Sequence, residues 1–424
     1  MRGVMWPRRP LCARHDRAAS VRSSLQGGIM AFTTSRPDFN ITQPELSDNS
    51  VTMLNSITAR TIWEDGVIHY GFGTDGVLAL DREFRQVFRA EFGNATPDKQ
   101  FAFASMAERA FSMIDNVTAF DFAKTTDAAE VDLVLTSTDD RPRSTLEGFF
   151  YFPGDMGKDG TDESWSLGVF NSGLGMLKAK PELGGGQYGN WTVLHEIGHS
   201  LGLKHTHQEV SGLPPLSTIG RYMNNERYSV MSYNGATDGA KFGHAVSMMA
   251  LDVASLQALY GAEDYAVGSS TYTLMDARGG ALSLTEGDVQ IGRAYYCVWD
   301  SGGVDTIDYQ GKGKSVLINL NDATLDTMGY DEDLQQLFSD IKDTYFYTFM
   351  SKPLKDALFD DWHNAGGFFS QVLDIKKGKY VGSDGGYSIA NGAVIENAVG
   401  GNGADMLVGN EYDNNLVGGG GDDT

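Results

Sequence analysis

The chain has 424 residues, 33 basic against 56 acidic side chains, a formal net charge of −23 and 41% hydrophobic residues. Such a length and apolar content support two or three ordinary cores, while the acidic excess argues against a nucleic-acid partner and suits a cation-binding protein. Two cysteines, Cys12 and Cys297, exclude a disulfide-framed scaffold, and no run approaches the roughly 18 apolar residues of a membrane span.

The first 30 residues oppose the rest in charge: Arg2, Arg8, Arg9, Arg14, Arg17 and Arg22 stand against the single acid Asp16. They lack a continuous apolar segment followed by a small-residue cleavage site, the mark of an ordinary secretory signal. Residues 1–45 are expected to lie outside the fold, as an upstream extension with the true start at Met30, a short propeptide, or a targeting segment.

Next in the chain, Thr61-Ile62-Trp63 and Val67-Ile68-His69-Tyr70, around a turn at Asp65-Gly66, read as strand. Pro97 opens a helix in which Phe103, Met106, Ala110, Phe111, Ile114 and Val117 recur at helical spacing, an amphipathic face that needs a sheet to pack on. Val131–Leu135 and Ser166–Phe170 supply further strands, separated by a Gly- and Asp-rich loop. Strand–helix–strand order predicts a mixed α/β half over 46–262. Beyond Tyr260-Gly261 the texture turns to short segments between Gly, Asp and Ser, which predicts an all-β half over 263–424. Leu334, Leu337, Phe338, Ile341 and Tyr345, then Leu354, Leu358 and Trp362, fall at helical spacing, so a helical insertion is expected at about 328–380.

The chemistry is concentrated in Leu194-His195-Glu196-Ile197-Gly198-His199-Ser200-Leu201-Gly202-Leu203-Lys204-His205. Residues four apart share a helix face, so His195 and His199 point two imidazoles at one metal and Glu196 rides beside them. Gly202 can take a positive φ, ending the helix and letting the chain swing His205 back as a third nitrogen ligand. Three histidines leave one tetrahedral position open, the arrangement of a catalytic zinc. Glu196, not itself a ligand, is the expected general base that moves the proton of the attacking water. Cys12 could cap the zinc in a latent form.

This pattern, followed by Tyr228-Ser229-Val230-Met231-Ser232-Tyr233, resembles the metzincin metalloproteases and, within them, the serralysins. The resemblance covers roughly residues 55–424 and implies a secreted zinc endopeptidase acting on protein or peptide substrates. It implies a methionine beneath the zinc at Met231 and a tyrosine on the metal or the oxyanion at Tyr233. Leu251–Gly261 and Cys297–Asp305 also match. Serralysins carry proline after the third histidine where this chain has Thr206, which touches the subgroup rather than the metal. His207 reads as an exposed neighbour, and His69, His244 and His363 lack ligand spacing.

The end of the chain fits a calcium-binding nonapeptide. Gly400-Gly401-Asn402-Gly403-Ala404-Asp405-Met406-Leu407-Val408 matches Gly-Gly-x-Gly-x-Asp-x-apolar-x, and Gly418-Gly419-Gly420-Gly421-Asp422-Asp423 restarts it two periods later. In a parallel β-roll, Gly401, Gly403, Gly419 and Gly421 would turn carbonyls toward calcium, Asp405 and Asp423 would add carboxylates, and Leu407 or Leu416 would point into the core. The family resemblance adds a calcium site at Asp300, Gly302, Gly303, Asp305 and Glu396, although the companion segment Ala266–Ser270 lacks the usual arginine and aspartate.

The fold class expected is therefore α+β: a metzincin-like mixed-sheet catalytic domain, then an all-β parallel roll with a helical insertion. Zn2+ and Ca2+ are the cofactors implied. Type I secretion machinery is an implied partner, with the protein acting as an extracellular monomer, and the chain stops at Thr424 in mid-repeat. The competing reading is a calcium-binding RTX adhesion or structural protein with an inactive protease domain.

Overall fold

A computed structural model describes residues 53–73, 97–139, 147–174, 186–323 and 370–424, with short gaps inside these spans. The basic N-terminal segment with Cys12 and most of the expected helical insertion lie outside the described residues. What is described is an α+β protein with several sheets and few helices.

The N-terminal half is built on a mixed sheet of order β2-β1-β3-β6-β4, from β1 (Val67–Phe72), β2 (Asp121–Lys124), β3 (Leu133–Thr138), β4 (Gly148–Phe150) and β6 (Ser164–Asn171), with β5 (Met156–Gly157) paired to β6. Strands β1, β2, β3 and β6 run parallel, and β4 lies antiparallel on the edge beside β6. All six side chains of β3 are buried, as a central strand covered on both faces requires. Residues 62–63, expected to extend the first strand, are not strand.

Helix α1 (Ala104–Asp115) buries Met106, Ala107, Ala110, Phe111 and Ile114 against this sheet, the face its periodicity predicts. Phe111 stacks on Tyr70 of β1, with ring centroids 4.2 Å apart. Two longer-range helices complete the half, α2 (Tyr188–Ser200) and α4 (Ala250–Tyr260), with a short α3 (Leu216–Ile219) between them. Nearly all of α4 is buried, which explains why it shows little amphipathic pattern.

The C-terminal half divides its strands between two sheets. Its strands include β7 (Thr271–Leu274), β8 (Leu282–Thr285), β9 (Asp288–Ile291), β10 (Tyr295–Val298), β11 (Thr306–Tyr309), β12 (Val316–Asn319), β13 (Ser370–Lys376), β14 (Lys379–Ile389), β15 (Asn397–Val399), β16 (Met406–Val408) and β17 (Asn415–Val417), and one sheet has the order β10-β14-β13-β12-β16 and the other β17-β15-β11-β7-β9-β8. Strands β15 (Asn397–Val399), β16 (Met406–Val408) and β17 (Asn415–Val417) start nine residues apart, at 397, 406 and 415, and fall in alternate sheets. The nine-residue repeat is thus one half-turn of a coil, and β15 and β17 pair in parallel, residue 397 with 415.

Two expectations need correction. Residues 370–376 and 379–380, assigned to the end of a helical insertion, are strand: β13 (Ser370–Lys376) and β14 (Lys379–Ile389) form an antiparallel hairpin. Ser370 to Leu373 are all buried, so the two-residue alternation that reveals a strand is missing. Leu416 does not enter the core: it is 43% exposed on β17, whereas Leu407 packs partly against the buried cluster of the roll. The larger cluster runs from Met53 and Leu54 through α2 and α4 to Tyr295, Cys297, Leu373 and Met406, so the two halves share one core.

Candidate metal centre

The site begins with the way α2 ends. Gly202 takes φ +89°, which glycine adopts at little cost, and Leu203 N–H donates to the Gly198 carbonyl at 2.9 Å while Gly202 N–H donates to His199 at 3.0 Å. This C-cap reverses the chain, and Leu203 to His205 return beside the last turn of the helix. An N-terminal strap holds the returning segment: Thr58 bridges Leu203, Ala59 N–H donates to the Gly202 carbonyl at 2.6 Å, and Lys204 N–H donates to Ile57 at 2.8 Å.

His195, His199 and His205 are all buried, and among the described residues they are the one set of three His, Cys, Asp or Glu side chains close enough to share a metal. His205 Nε2 lies 2.9 Å from His199 Nε2 and 3.1 Å from His195 Nε2. His195 Nδ1 donates to the Val230 carbonyl and His199 Nδ1 to the Leu203 carbonyl, each at 2.7 Å. Those bonds place the ring protons on Nδ1 and leave the Nε2 lone pairs of both rings facing inward. Inward-facing lone pairs at such separations repel unless a cation lies between them. A tetrahedral metal about 2.0–2.1 Å from each nitrogen holds ligands roughly 3.3 Å apart, so the donor set fits zinc.

Glu196 sits beside this cluster, and its Oε2 is buried without a hydrogen-bond partner among the described residues. Burial, and then the charge of Glu147, push the Glu196 carboxyl up to about 8, against the lowering effect of a hydrogen bond from the Phe150 backbone. A Cβ at Gly148 would sit 3.2 Å from Glu196 Cγ, so edge strand β4 passes directly over the carboxylate. Tyr188 Oη donates to Glu147 Oε2 at 2.6 Å, which ties the second carboxylate to the first turn of α2.

Met231 is fully buried, and a Cβ at Gly198 would meet its sulfur at 2.7 Å, so the thioether packs against the helix between the two histidines. Tyr233 Oη lies 2.6 Å from His205 Nε2. His207 is exposed, its ring 5.1 Å from that of His205 and 4.9 Å from that of Tyr233. His244 bonds Glu226 at 2.8 Å in a buried pair, and His69 lies 3.6 Å from Asp132, so both are accounted for outside the cluster. Sequence reasoning missed Asp252, whose carboxylate accepts from Ser229 Oγ at 2.6 Å, Val230 N–H at 2.7 Å and Met249 N–H at 2.9 Å. The missed signal was an aspartate in the first turn of an otherwise apolar helix.

The residues assigned to calcium fall in two stacked groups of turns. Asp300 accepts from Tyr272 Oη and Gly302 N–H, Asp305 Oδ1 accepts from Ser270 N–H at 2.7 Å, and Glu396 Oε2 accepts from Asp305 N–H at 2.7 Å. Asp305 is 0% exposed, and its Oδ2 has no hydrogen-bond partner among the described residues. Burial and the neighbouring charges of Asp300 and Glu396 push its carboxyl up to about 7. Gly303 packs on the Gly268 carbonyl of the companion segment. In the second group the turn 418–423 lies on 400–405: Gly420 N–H donates to the Gly401 carbonyl at 2.8 Å and Asp405 N–H to Asp423 Oδ1 at 3.0 Å. Asp405 also accepts from Gly401 and Val316 N–H, and Gly403, Gly419 and Gly421 line the same stack.

The fold and site together define a mixed α+β protein with a buried three-histidine metal centre candidate. Residues 356–424 match the family model described as Peptidase M10 serralysin C terminal. The serralysin of Photorhabdus luminescens is 28% identical over 340 residues, 76% of this chain and 55% of that protein. The metalloprotease AprA of Pseudomonas entomophila is 28% identical over 377 residues, 84% of this chain and 64% of its own length. The metallopeptidase AprA of Pseudomonas marginalis is 30% identical over 328 residues, 74% and 55% respectively. The chain is a relative of the serralysin-type metalloproteases, and it spans between about half and two thirds of the length of the curated relatives it matches.

Proposed function

We propose that this chain is a zinc-dependent endopeptidase with a metzincin-like catalytic half (46–262) and a calcium-stabilised parallel β-roll (263–424). The observation that carries the reading is the convergence of three buried Nε2 atoms beside a buried carboxylate whose Oε2 has no hydrogen-bond partner among the described residues. His195, His199 and His205 would hold the metal, which when bound supplies Lewis-acid polarisation of a carbonyl and of water.

The chain's own residues do the rest. Glu196 takes a proton from water and passes it to the leaving amine, so the peptide bond breaks without an acyl-enzyme. Tyr233 Oη, at the His205 edge of the cluster, donates a hydrogen bond to the oxyanion that forms on the attacked carbon. Strand β4 is the outer strand beside β6 in the described sheet, and an extended substrate peptide is expected to run along it above Glu196. Met231 packs as the floor that keeps the two helix-borne imidazoles aligned.

For calcium, the buried Asp305 Oδ2, without a hydrogen-bond partner among the described residues and beside the charges of Asp300 and Glu396, supports a site with Gly302 and Gly303. The stacked turns of Gly401, Gly403 and Asp405 under Gly419, Gly421 and Asp423 support a second. Dependence on calcium at these turns fits an extracellular protein acting on protein substrates. Among the described residues no helix is long and apolar enough to cross a membrane.

The deciding experiment is casein digestion by the zinc- and calcium-loaded chain, with and without a zinc chelator, beside Glu196→Ala. Chelation should abolish cleavage and added zinc restore it, and Glu196→Ala should bind about one zinc yet lose nearly all activity. A variant that keeps more than a tenth of the rate would remove Glu196 from the mechanism.

A further inference from the structure

Asn224 lies in the stretch of chain between α3 and Met231, and it reaches two segments of the metal centre at once. Its Oδ1 accepts from Thr206 Oγ1 at 2.6 Å and from Ser232 Oγ at 2.8 Å. Its backbone carbonyl accepts from Asn234 Nδ2 at 2.8 Å. Thr206 directly follows His205, while Ser232 and Asn234 stand on either side of Tyr233. One asparagine thus grips the neighbour of the third histidine and both neighbours of the tyrosine.

The direct ties between the two segments are looser. The backbone bond from Thr206 N–H to the Met231 carbonyl is long, at 3.4 Å. Ring packing of Tyr233 on His205, with centroids 4.6 Å apart, tolerates sliding of one ring over the other. Two short hydroxyl bonds, by contrast, use both lone pairs of the amide oxygen and fix the direction of each donor. Thr206 and Ser232 are both 0% exposed, so water does not compete for those hydroxyls. Asn234 N–H donates to Ser232 Oγ at 3.2 Å and Glu226 N–H donates to the Asn234 carbonyl at 2.9 Å, which folds the turn after Tyr233 back onto the same hub.

We propose that Asn224 is a positioning residue that sets the Tyr233 hydroxyl against His205, 2.6 Å from Nε2. The inference rests on the peptidase reading, in which that hydroxyl stabilises the oxyanion. An oxyanion donor is effective because it is already in place when the charge develops, and a displacement of about 1 Å can lower a rate on the order of a hundredfold. Asn224 acts through Thr206 and Ser232, so its loss should shift the tyrosine while His195, His199 and His205 still bind metal.

The test uses the full chain loaded with zinc and calcium, with casein as substrate. Asn224→Ala should lower kcat about tenfold with KM nearly constant and one zinc still bound. Asn224→Asp keeps an acceptor oxygen for both hydroxyls and should recover most of that rate. Placed in Tyr233→Phe, Asn224→Ala should cause little further loss, because the hydroxyl it positions is already gone. Thr206→Val keeps the side-chain shape and deletes one of the two donors, so it should show a smaller fall with the same kcat-against-KM split, and it serves if Asn224→Ala folds poorly. Crystals of wild type and Asn224→Ala should differ in the placement of the Tyr233 hydroxyl over His205, a readout that needs no turnover. A wild-type chain that leaves casein intact would sink the peptidase reading and leave the crystals to decide the positioning. Wild-type kcat in Asn224→Ala, an equal fall with and without the Tyr233 hydroxyl, or an unmoved tyrosine in the variant crystal would overturn the role of Asn224.

Discussion

Asp252 Oδ2 accepts the backbone N–H of Val230 at 2.7 Å, and the Val230 carbonyl in turn accepts from His195 Nδ1 at 2.7 Å. A fully buried carboxylate on α4 therefore reaches a metal-binding candidate through one intervening residue. The same carboxylate accepts from Ser229 Oγ, which itself accepts from Met231 N–H at 3.1 Å, so the whole 229–231 loop hangs on it. Outer partners of this kind commonly contribute 10- to 100-fold in metal affinity. Asp252→Ala should weaken zinc binding by about that factor, read by competition against a chromogenic chelator, with a smaller fall in kcat once zinc is saturating. Unchanged zinc affinity would reduce Asp252 to a helix-end residue.

Lys204 tests the strap on the other side of the cluster. Its ammonium is buried and donates to three carbonyls, Ser56 at 2.6 Å, Gln208 at 2.8 Å and Pro214 at 3.1 Å, with no carboxylate among them. Lys204→Met keeps the stem but leaves those carbonyls without a donor, at a cost of about 1–3 kcal/mol for such buried groups. The loss should appear as a lower urea midpoint with an unchanged m-value. Deleting residues 1–29 should leave the midpoint alone, since that basic segment has no apolar periodicity with which to pack. Deleting 1–59 should lower it, because Met53, Leu54 and Ile57 are core residues.

The sequence made the metal cluster legible because its three histidines and Glu196 lie within eleven consecutive positions, 195–205, where helix periodicity alone brings them together. The glycine that ends the helix was legible for the same local reason. Asp252, Glu147 and Lys204 were not, since each acts across a long sequence separation that no spacing rule encodes. The hairpin of β13 and β14 was hidden because Ser370, Gln371, Val372 and Leu373 are all buried, so polar and apolar residues do not mark opposite faces. The nonapeptide marked the repeat of the roll but not which of Leu407 and Leu416 points inward: Leu407 packs against the buried cluster and Leu416 is exposed.

Calcium should act on stability through Asp305. Any ligand that binds only the folded chain adds about 2.7 kcal/mol when present at a hundred times its Kd. The thermal midpoint should therefore rise with calcium in a saturable way and fall on adding a calcium-selective chelator. Asp305→Asn removes the charge of the carboxylate whose Oδ2 has no hydrogen-bond partner among the described residues, and it should lose a large share of that rise while stability in calcium-free buffer changes little or increases. A full calcium response in the variant would move the ion elsewhere in the roll.

Tyr233 offers the sharpest division between a catalytic and a packing role. Its hydroxyl stands 2.6 Å from His205 Nε2, and its ring centroid is 4.6 Å from that of His205 and 5.5 Å from that of His195. The ring therefore packs against the cluster while the hydroxyl reaches its inner edge. Tyr233→Phe preserves every ring contact and deletes only the donor. If the phenol stabilises the oxyanion, its bond forms as charge develops in the transition state, so kcat should fall roughly ten- to a thousandfold with KM nearly constant. Zinc content and thermal midpoint should stay close to wild type, because neither the ligands nor the packing has changed. A residue that merely filled space would show the reverse: a shifted midpoint or no effect at all. Wild-type kcat with one bound zinc would take Tyr233 out of the chemistry.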